Sequence, residues 1–163
     1  MELDWKKLLK MAYLKAQESR NPSTQNGAIL VGDDGAILIE VSNTLVPDGL
    51  QEIDERKAKP LRHKFSVHAE RNAIYKAAKS GVKIQGLTMV CCWAVCSECA
   101  QGLIQAGIKR LVTHTQALEK SNNWTEEIEL GFAMLREAGV EIIMYDGKIG
   151  GVKILRSGEH WEP

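Results

Sequence analysis

Three metal-binding side chains and one carboxylate form the most informative pattern in this sequence. His68 and Glu70 are separated by a single residue, and Cys96 and Cys99 are separated by two. Residues three positions apart on a helix share a face, so both sulfur atoms can reach one metal ion. Cysteine sulfur and histidine nitrogen are typical zinc ligands. The spacing therefore predicts a zinc site whose ligands are His68, Cys96 and Cys99.

Three protein ligands leave the fourth position of a zinc ion open to water, as in catalytic sites. Zinc at such a site activates water near neutral pH. Glu70 is then placed to take a proton from the water and to deliver it to a substrate. Hydrolytic deamination of a heterocyclic ring requires these parts. The alternative is a closed structural site completed by Cys92 or His63, but it leaves Glu70 without a role.

The apolar periodicity predicts an initial helix, a hairpin and then three helix–strand alternations. The expected elements are a helix over 3–18, strands over 27–31 and 36–41, a helix over 68–79, a strand over 87–93, a helix over 96–106, a strand over 108–113, a helix over 125–138 and a strand over 140–145. Because helices separate the last strands, these should pair in parallel through right-handed crossovers. The order predicts an α/β fold, a three-layer α/β/α sandwich with a five-stranded mixed sheet.

The length of 163 residues is sufficient for one domain with a full core. We expect residues 1–163 to form a single domain, with 146–163 as a C-terminal tail. The segment 43–61 is expected to be a long loop, and loops of this size are often functional. His114 and His160 are interpreted as surface residues, Trp5, Trp124 and Trp161 as core or docking residues, and Trp93 as a candidate wall of the substrate pocket.

The charges balance, because 21 Lys and Arg residues face 21 Asp and Glu residues. Proteins that bind a long polyanion usually carry more basic than acidic residues, so we expect no long nucleic acid as a partner. No apolar run approaches the length of a membrane helix, and the N-terminus does not resemble a signal peptide. All four cysteines lie within 91–99, which favours metal binding in a reducing compartment over a disulfide framework. These features predict a cytoplasmic protein without a membrane partner.

The segment 68–74, HAERNAI, resembles the zinc-ligand helix of the cytidine and deoxycytidylate deaminase superfamily. The cysteine pair fits the zinc-deaminase signature, although Val95 stands where that signature has proline. The segments 96–109 and 19–28 are similar to the deoxycytidylate (dCMP) deaminase branch. The resemblance spans roughly residues 5 to 145. It implies zinc-dependent deamination of a cytosine nucleotide, with a small pyrimidine nucleotide as substrate.

The resemblance also implies roles for individual residues. His68, Cys96 and Cys99 would hold zinc, and Glu70 would be the catalytic proton shuttle. The Ala69 N–H would bind the pyrimidine carbonyl. The other residues implied at the substrate are Asn43 at the sugar, the Ala94 carbonyl at the leaving amino group, and Thr24 and Asn26 beside the pocket.

A nucleotide substrate also requires cations for its phosphate. One basic run precedes the zinc helix, comprising Arg56, Lys57, Lys59, Arg62, His63 and Lys64. We expect Arg62 or Lys64 to neutralise the phosphate, because they lie closest in sequence to the zinc helix. Backbone amides and hydroxyls of Ser23 and Thr24 could share that role. The alternative is a solvated loop face without a ligand.

Two other functions remain open from the sequence. One is a base deaminase acting on tRNA or single-stranded DNA, which should carry a basic stripe and exposed aromatic residues. The other is a non-catalytic zinc-stabilised binding domain, in which Glu70 would have no role. The resemblance further implies a homo-oligomer, and an apolar face with Ala100, Leu103 and Ile104 is expected to be covered by a second copy.

Overall fold

The computed structural model describes residues 2–120 and 126–163. The helices are α1 (Trp5–Ala16), α2 (Asp54–Lys57), α3 (Arg62–Phe65), α4 (Ala69–Ser80), α5 (Ser97–Gln105), α6 (Thr115–Lys120) and α7 (Glu126–Glu137). The strands are β1 (Gly27–Val31), β2 (Ile37–Ser42), β3 (Thr88–Cys91), β4 (Arg110–His114), β5 (Glu141–Tyr145), β6 (Ile154–Arg156) and β7 (Glu159–Trp161). Among the described residues, no helix is both long and apolar enough to cross a bilayer.

The central sheet contains five strands in the order β2-β1-β3-β4-β5. Strand β1 is antiparallel to both β2 and β3, whereas β4 pairs in parallel with β3 and with β5. Strands β1 and β3 are buried along their whole length. This burial agrees with their near-continuous apolar sequences, since such strands are covered on both faces. The predicted five-stranded mixed sheet is confirmed.

Helices cover both faces of this sheet and create two apolar cores. Because side chains alternate along a strand, neighbouring residues of β4 divide between the cores. Leu111 packs in the core that holds α4, α5 and α7, and Val112 packs in the core that holds α1. The three-layer arrangement therefore follows from the two-sided apolar pattern of the central strands.

The segment 146–163 adds a small hairpin, β6–β7, that packs beside α1. Ile149, Val152 and Ile154 are buried in the same core as Leu9 and Tyr13 of α1. The side chain of Gln25 accepts a hydrogen bond from the Leu155 N–H at 2.8 Å. The C-terminal residues are thus joined both to the core and to the segment that enters β1.

Several expectations require correction. Helices α2 and α6 lie where no helix was predicted, and α3 follows directly after the expected loop 43–61. His114 is fully buried and is not a surface residue. Ala100 and Leu103 are also fully buried, because α5 packs against α4 and α7 of the same chain. The surface proposed there for a second copy is therefore wrong. Trp124 and the expected helix start at Thr125 lie outside the described residues.

Candidate active site

The predicted zinc ligands and Glu70 lie together at a cavity of about 340 Å³. The cavity lies where α4 and α5 begin, and the segment before β1 and helix α3 form further parts of its wall. Nine of the predicted site residues line the cavity: Ser23, Thr24, Asn26, Asn43, Arg62, His68, Glu70, Ala94 and Cys96. Cys99 and Ala69 are buried behind this surface, and Lys64 is exposed outside it.

His68 and Cys96 occupy equivalent positions. Each is the N-cap residue of a helix, and each has an extended backbone conformation itself. Neither side chain caps its own helix, so both are free to point at a common centre. Cys99 lies one turn into α5. Arg71 of α4 and Glu98 of α5 form an ion pair at 2.9 Å, which joins the first turns of the two helices. The start of α4 is tied to β2 by the Asn72 amide, which donates to the Ser42 carbonyl at 2.9 Å.

The geometry of the three ligand atoms fits a zinc ion. Nδ1 of His68 lies 3.5 Å from Sγ of Cys96 and 3.5 Å from Sγ of Cys99. A tetrahedral zinc ion with usual bond lengths places nitrogen and sulfur ligands about 3.5 Å apart. The three atoms lie within 4.8 Å of one another, and this is the one such group of potential ligands in residues 2–120 and 126–163. Neither Cys92 nor His63 joins it.

The turn that carries Cys96 is held by α7 through Gly131. A Cβ atom at Gly131 would lie 2.7 Å from the Val95 carbonyl oxygen and 3.1 Å from the carbonyl carbon of Cys96. No side chain fits there without a shift of the backbone. Val95 itself is fully buried. Close packing by α7 therefore holds the turn at which the family signature has proline.

The two thiols interact strongly. The hydrogen bond from Cys99 is the largest cause of a Cys96 pKa lowered to about 3, and the His68 contact lowers it further. The same hydrogen bond raises the pKa of Cys99. The contact with Cys96 also raises the pKa of His68. The lowered pKa of Cys96 favours a thiolate at the start of α5, where the helix dipole also stabilises negative charge.

Glu70 is the buried carboxylate of the site. Its side chain is 2% exposed, and Oε2 lies 3.8 Å from Sγ of Cys99. Burial raises the pKa of Glu70 above its usual range, and the neighbouring His68 partly opposes this effect. A carboxyl group with a raised pKa is suited to both accepting and releasing protons near neutral pH. The structure thus brings a buried carboxyl group to the predicted ligands without including it in the ligand group.

Asn43 organises the wall that is contributed by the segment before β1. Its Oδ1 accepts a hydrogen bond from the Asn26 N–H at 2.9 Å, and its Nδ2 donates to the Thr24 carbonyl at 2.9 Å. The backbone pairs as well, since the Asn43 N–H donates to the Asn26 carbonyl at 3.0 Å. Each side-chain atom still has one further hydrogen-bonding position for a ligand. Asn43 therefore holds two other predicted substrate contacts in place.

Asn21 was not identified from the sequence, although it lines the cavity. Its Oδ1 accepts hydrogen bonds from the N–H groups of both Ser23 and Thr24, at 2.9 and 3.0 Å. The expected availability of these two amides for a phosphate is therefore wrong, because both are already bonded. The Asn21-Pro22-Ser23 sequence is a typical side-chain-stabilised turn, so a signal was present.

Charge is unevenly distributed around the cavity. Arg62 and His63 of α3 line it, whereas Lys64 of the same helix does not. Glu127 of α7 also lines the cavity, and its carboxylate accepts a hydrogen bond from the Ser97 hydroxyl at 2.5 Å. Arg62 therefore contributes a positive charge to the cavity wall from α3, and Glu127 contributes a negative charge from α7.

Comparisons with known proteins agree with this arrangement. The family described as "Cytidine and deoxycytidylate deaminase zinc-binding region" matches residues 3–115. Deoxycytidylate deaminase of Pongo abelii is 30% identical over 76% of this chain and 71% of its own length. An uncharacterized deaminase of Aliivibrio fischeri is 28% identical over 84% of this chain and 90% of its own.

A solved structure has the same fold. The dCMP deaminase of cyanophage S-TIM5, crystallised in complex with dCMP and dUMP, superimposes with a TM-score of 0.66 and 27% identity. The match covers 89% of this chain and 99% of the phage protein. The predicted family resemblance is confirmed. The chain belongs to the cytidine and deoxycytidylate deaminase family, and its relatives support placing it in the dCMP deaminase branch.

Proposed function

We propose that this protein is a zinc-dependent deaminase that hydrolyses dCMP to dUMP and ammonia. The observation that carries the proposal is the placement of Glu70. It is a buried carboxylate in a cavity that also presents His68 and Cys96, with Cys99 directly behind. The relatives support a deaminase of this type, and the cavity supplies a place for a pyrimidine ring.

The zinc ion would be held by Nδ1 of His68 and by the sulfur atoms of Cys96 and Cys99. The 3.5 Å separations between nitrogen and sulfur support this assignment. When bound, zinc supplies a Lewis acid that makes water nucleophilic near neutral pH. The ion pair between Arg71 and Glu98 holds the two ligand-bearing helices together.

Glu70 moves the protons of the reaction. Its carboxylate takes a proton from the attacking water and passes it to N3 of the pyrimidine ring. It then takes the remaining proton of that water from the new C4 hydroxyl and delivers it to the amino nitrogen, so that the C4=O bond forms as the C4–N bond breaks and ammonia leaves. The raised pKa that burial gives Glu70 supports this dual use, because the group then exchanges protons readily near neutral pH.

The remaining walls orient the ring and the sugar. Ala69 is the first residue of α4, so its N–H has no acceptor within the helix and is assigned to the pyrimidine carbonyl. The Ala94 carbonyl is assigned to the leaving amino group. Asn43 contacts the sugar through its unused hydrogen-bonding positions, and Thr24 and Asn26 form the adjoining wall.

The phosphate is assigned to Arg62, with His63 beside it. Both residues line the cavity, whereas Lys64, the other candidate from the sequence, does not. The Ser23 hydroxyl adds a neutral donor at the same wall, since the Ser23 and Thr24 amides are bonded to Asn21. A guanidinium group binds phosphate with two parallel hydrogen bonds, which makes Arg62 the stronger partner.

Three further assignments belong to the proposal. We assign residues 1–163 to one deaminase domain, including the C-terminal hairpin. We place the protein in the cytoplasm, because its four cysteines cluster within 91–99 and none of them forms a disulfide, as is usual in a reducing compartment. We expect a homo-oligomer, with a mass in light scattering that is a multiple of the 18.1 kDa chain.

Ammonia release from a panel of substrates tests the proposed reaction. The panel contains dCMP, deoxycytidine, cytidylate, and adenine and guanine nucleotides. We expect dCMP to be turned over with a kcat/KM at least roughly tenfold above that of deoxycytidine, because a charge-assisted bond to phosphate contributes about 1.5–3 kcal/mol. Equal efficiency on dCMP and deoxycytidine would refute the nucleotide assignment, and preference for a purine would refute the pyrimidine assignment.

A further inference from the structure

Arg156 of β6 is buried almost without partners. Its side chain is 1% exposed, and Nη2 donates to the Ala117 carbonyl at 3.1 Å. Nε and Nη1 are buried without a hydrogen-bond acceptor among the described residues. In the same residues, no carboxylate forms an ion pair with Arg156. Burying a charge without compensation destabilises a fold, so a second role is expected for this residue.

The guanidinium group of Arg156 lies against an indole ring. Its central carbon is 3.6 Å from the centroid of the Trp93 ring. Tryptophan is the best aromatic partner for a cation, and arginine stacks on it through a flat surface. Nε1 of Trp93 has no hydrogen-bond partner among the described residues, so no polar contact fixes the rotation of the indole. The stacked guanidinium is therefore placed to hold the plane of the Trp93 ring.

Trp93 is also a wall of the cavity. It lines the space that contains Glu70, and it immediately precedes Ala94, whose carbonyl is assigned to the leaving amino group. A flat aromatic ring at this position offers a stacking surface for a nucleobase. An indole that turns would change the width of the cavity beside the Ala94 carbonyl.

The same hairpin contacts a second wall of the cavity. The Ser157 N–H donates to Oγ1 of Thr24 at 3.2 Å, and the Gly158 N–H donates to the Ser23 carbonyl at 2.8 Å. Ser23 and Thr24 both line the cavity. Three consecutive residues of the hairpin therefore contact two different walls of the cavity. Arg156 stacks on Trp93, and the next two residues donate hydrogen bonds to Thr24 and Ser23.

We propose that Arg156 is a positioning residue of the active site, which holds the Trp93 ring in the plane that stacks on the pyrimidine. The C-terminal hairpin then belongs to the substrate site, although none of its residues needs to touch the substrate. The proposal rests on the proposed dCMP deaminase function for its kinetic consequence. Its structural consequence, the fixed orientation of Trp93, is independent of the substrate.

Arg156→Met separates positioning from structural support. Methionine keeps the length of the side chain and removes the uncompensated charge, and such replacements are often neutral or stabilising. We expect an unchanged or higher Tm, together with a KM for dCMP raised about tenfold and a smaller change in kcat, as for loss of a stacking partner. Arg156→Lys keeps the charge without the flat surface, so it should show the same rise in KM.

Arg110→Met is the matched control, because Arg110 lies over Trp5 at 5.6 Å and neither residue lines the cavity. It should leave the kinetic constants unchanged. A fall in Tm and in kcat/KM together for Arg156→Met, or unchanged kinetics in both Arg156 variants, would overturn the proposal. If Arg156→Met fails to fold, Arg156 is a structural residue and the proposal is likewise overturned.

A double variant tests whether Arg156 acts through Trp93. The effects of two groups that act as one unit are not additive. We expect Arg156→Met to lower kcat/KM about tenfold in the wild type but to have no further effect in a Trp93→Ala background. An equal loss in both backgrounds would mean that Arg156 acts by another route.

Near-ultraviolet circular dichroism distinguishes failure of this proposal from failure of the proposed function. The difference between wild type and Trp93→Phe isolates the band of Trp93. Arg156→Met should change this band, whatever the substrate is. A wild-type protein inactive on dCMP would refute only the proposed reaction, whereas an unchanged Trp93 band would refute the positioning role of Arg156.

Discussion

The hydroxyl of Tyr13 lies 2.7 Å from Nδ1 of His114, between two residues that are 101 positions apart in the sequence and completely buried. Nε2 of His114 lies 2.8 Å from the Gly147 carbonyl oxygen. A carbonyl only accepts, so Nε2 carries a hydrogen. Burial lowers the pKa of His114 and so favours the neutral imidazole, in which Nδ1 is the acceptor facing the Tyr13 hydroxyl. The His114 side chain connects α1, β4 and the start of the C-terminal segment.

This arrangement predicts a loss of stability in mild acid. Burial lowers the pKa of His114 below the usual value of 6.5. In mild acid, His114 binds a proton more readily in the unfolded chain than in the folded protein. The free energy of unfolding therefore falls as the pH drops below about 6.5. The contribution is complete above that pH and is lost progressively down to the lowered pKa of the folded state.

Thermal unfolding between pH 8 and pH 5 measures the effect. His114→Gln can donate to Gly147 and accept from Tyr13, but it does not titrate in this range. As the pH falls, we expect the Tm of the wild type to decrease more than the Tm of His114→Gln. Parallel Tm curves for the two proteins would contradict the neutral, buried state of His114.

A second prediction concerns the packing of α7 on the cysteine turn. Gly131→Ala should displace the turn at Val95 and Cys96, since the new Cβ would lie 2.7 Å from backbone. We expect a cost of about 1–3 kcal/mol, typical of overpacking, together with weaker zinc binding. Gly102→Ala is the control, because its Cβ would meet side-chain atoms and no backbone, namely Cδ1 of Ile74 at 3.2 Å and Cγ of Arg71 at 4.0 Å. Equal zinc affinity in both variants would contradict the role of Gly131.

A third prediction concerns metal content. The purified protein should contain one zinc ion per chain, and Cys99→Ala should lose it because only two ligands remain. Cys92→Ala provides the control, since Cys92 is buried outside the ligand group and should be dispensable for the metal. Metal analysis by mass spectrometry measures both. Loss of zinc from Cys92→Ala would instead indicate a closed site with a fourth protein ligand.

A fourth prediction separates two neighbouring cations of α3. Arg62 lines the cavity and Lys64 does not. Arg62→Ala should lower kcat/KM for dCMP by roughly ten- to 100-fold, the equivalent of one charge-assisted hydrogen bond, and leave activity on deoxycytidine unchanged. Lys64→Ala should leave both activities unchanged. Equal effects of the two variants on dCMP would indicate a diffuse basic surface without a phosphate contact at Arg62.

The sequence predicted the sheet and the grouping of His68, Cys96 and Cys99 because both depend on local signals. The apolar runs of β1 and β3 predict strands, and the glycine after α4 predicts the end of a helix. Local signals of the same kind place His68 and Cys96 at the starts of helices. The expected strand over 108–113 ends one residue before His114, which was expected to be a surface residue. Its burial depends on Tyr13, a residue too distant for any local pattern to reveal.

Other errors arose from contacts between distant elements. Ala100 and Leu103 form an apolar face on α5, but the sequence does not reveal that α7 of the same chain contributes to covering it. The basic run before α4 was visible, yet only the turn of α3 decides that Arg62 lines the cavity and Lys64 does not. Arg156 follows a short apolar run, but a lone arginine usually lies at the surface, so the sequence did not indicate its burial.

The most direct test of the account is the formation of dUMP by wild type and by Glu70→Ala. The wild type should convert dCMP to equal amounts of dUMP and ammonia. The variant should retain one zinc ion and the wild-type fold, because Glu70 is not a ligand, but its turnover should fall by at least about 10²-fold, as for loss of a general acid–base group. No dUMP from the wild type, or more than a tenth of wild-type activity in Glu70→Ala, would contradict it.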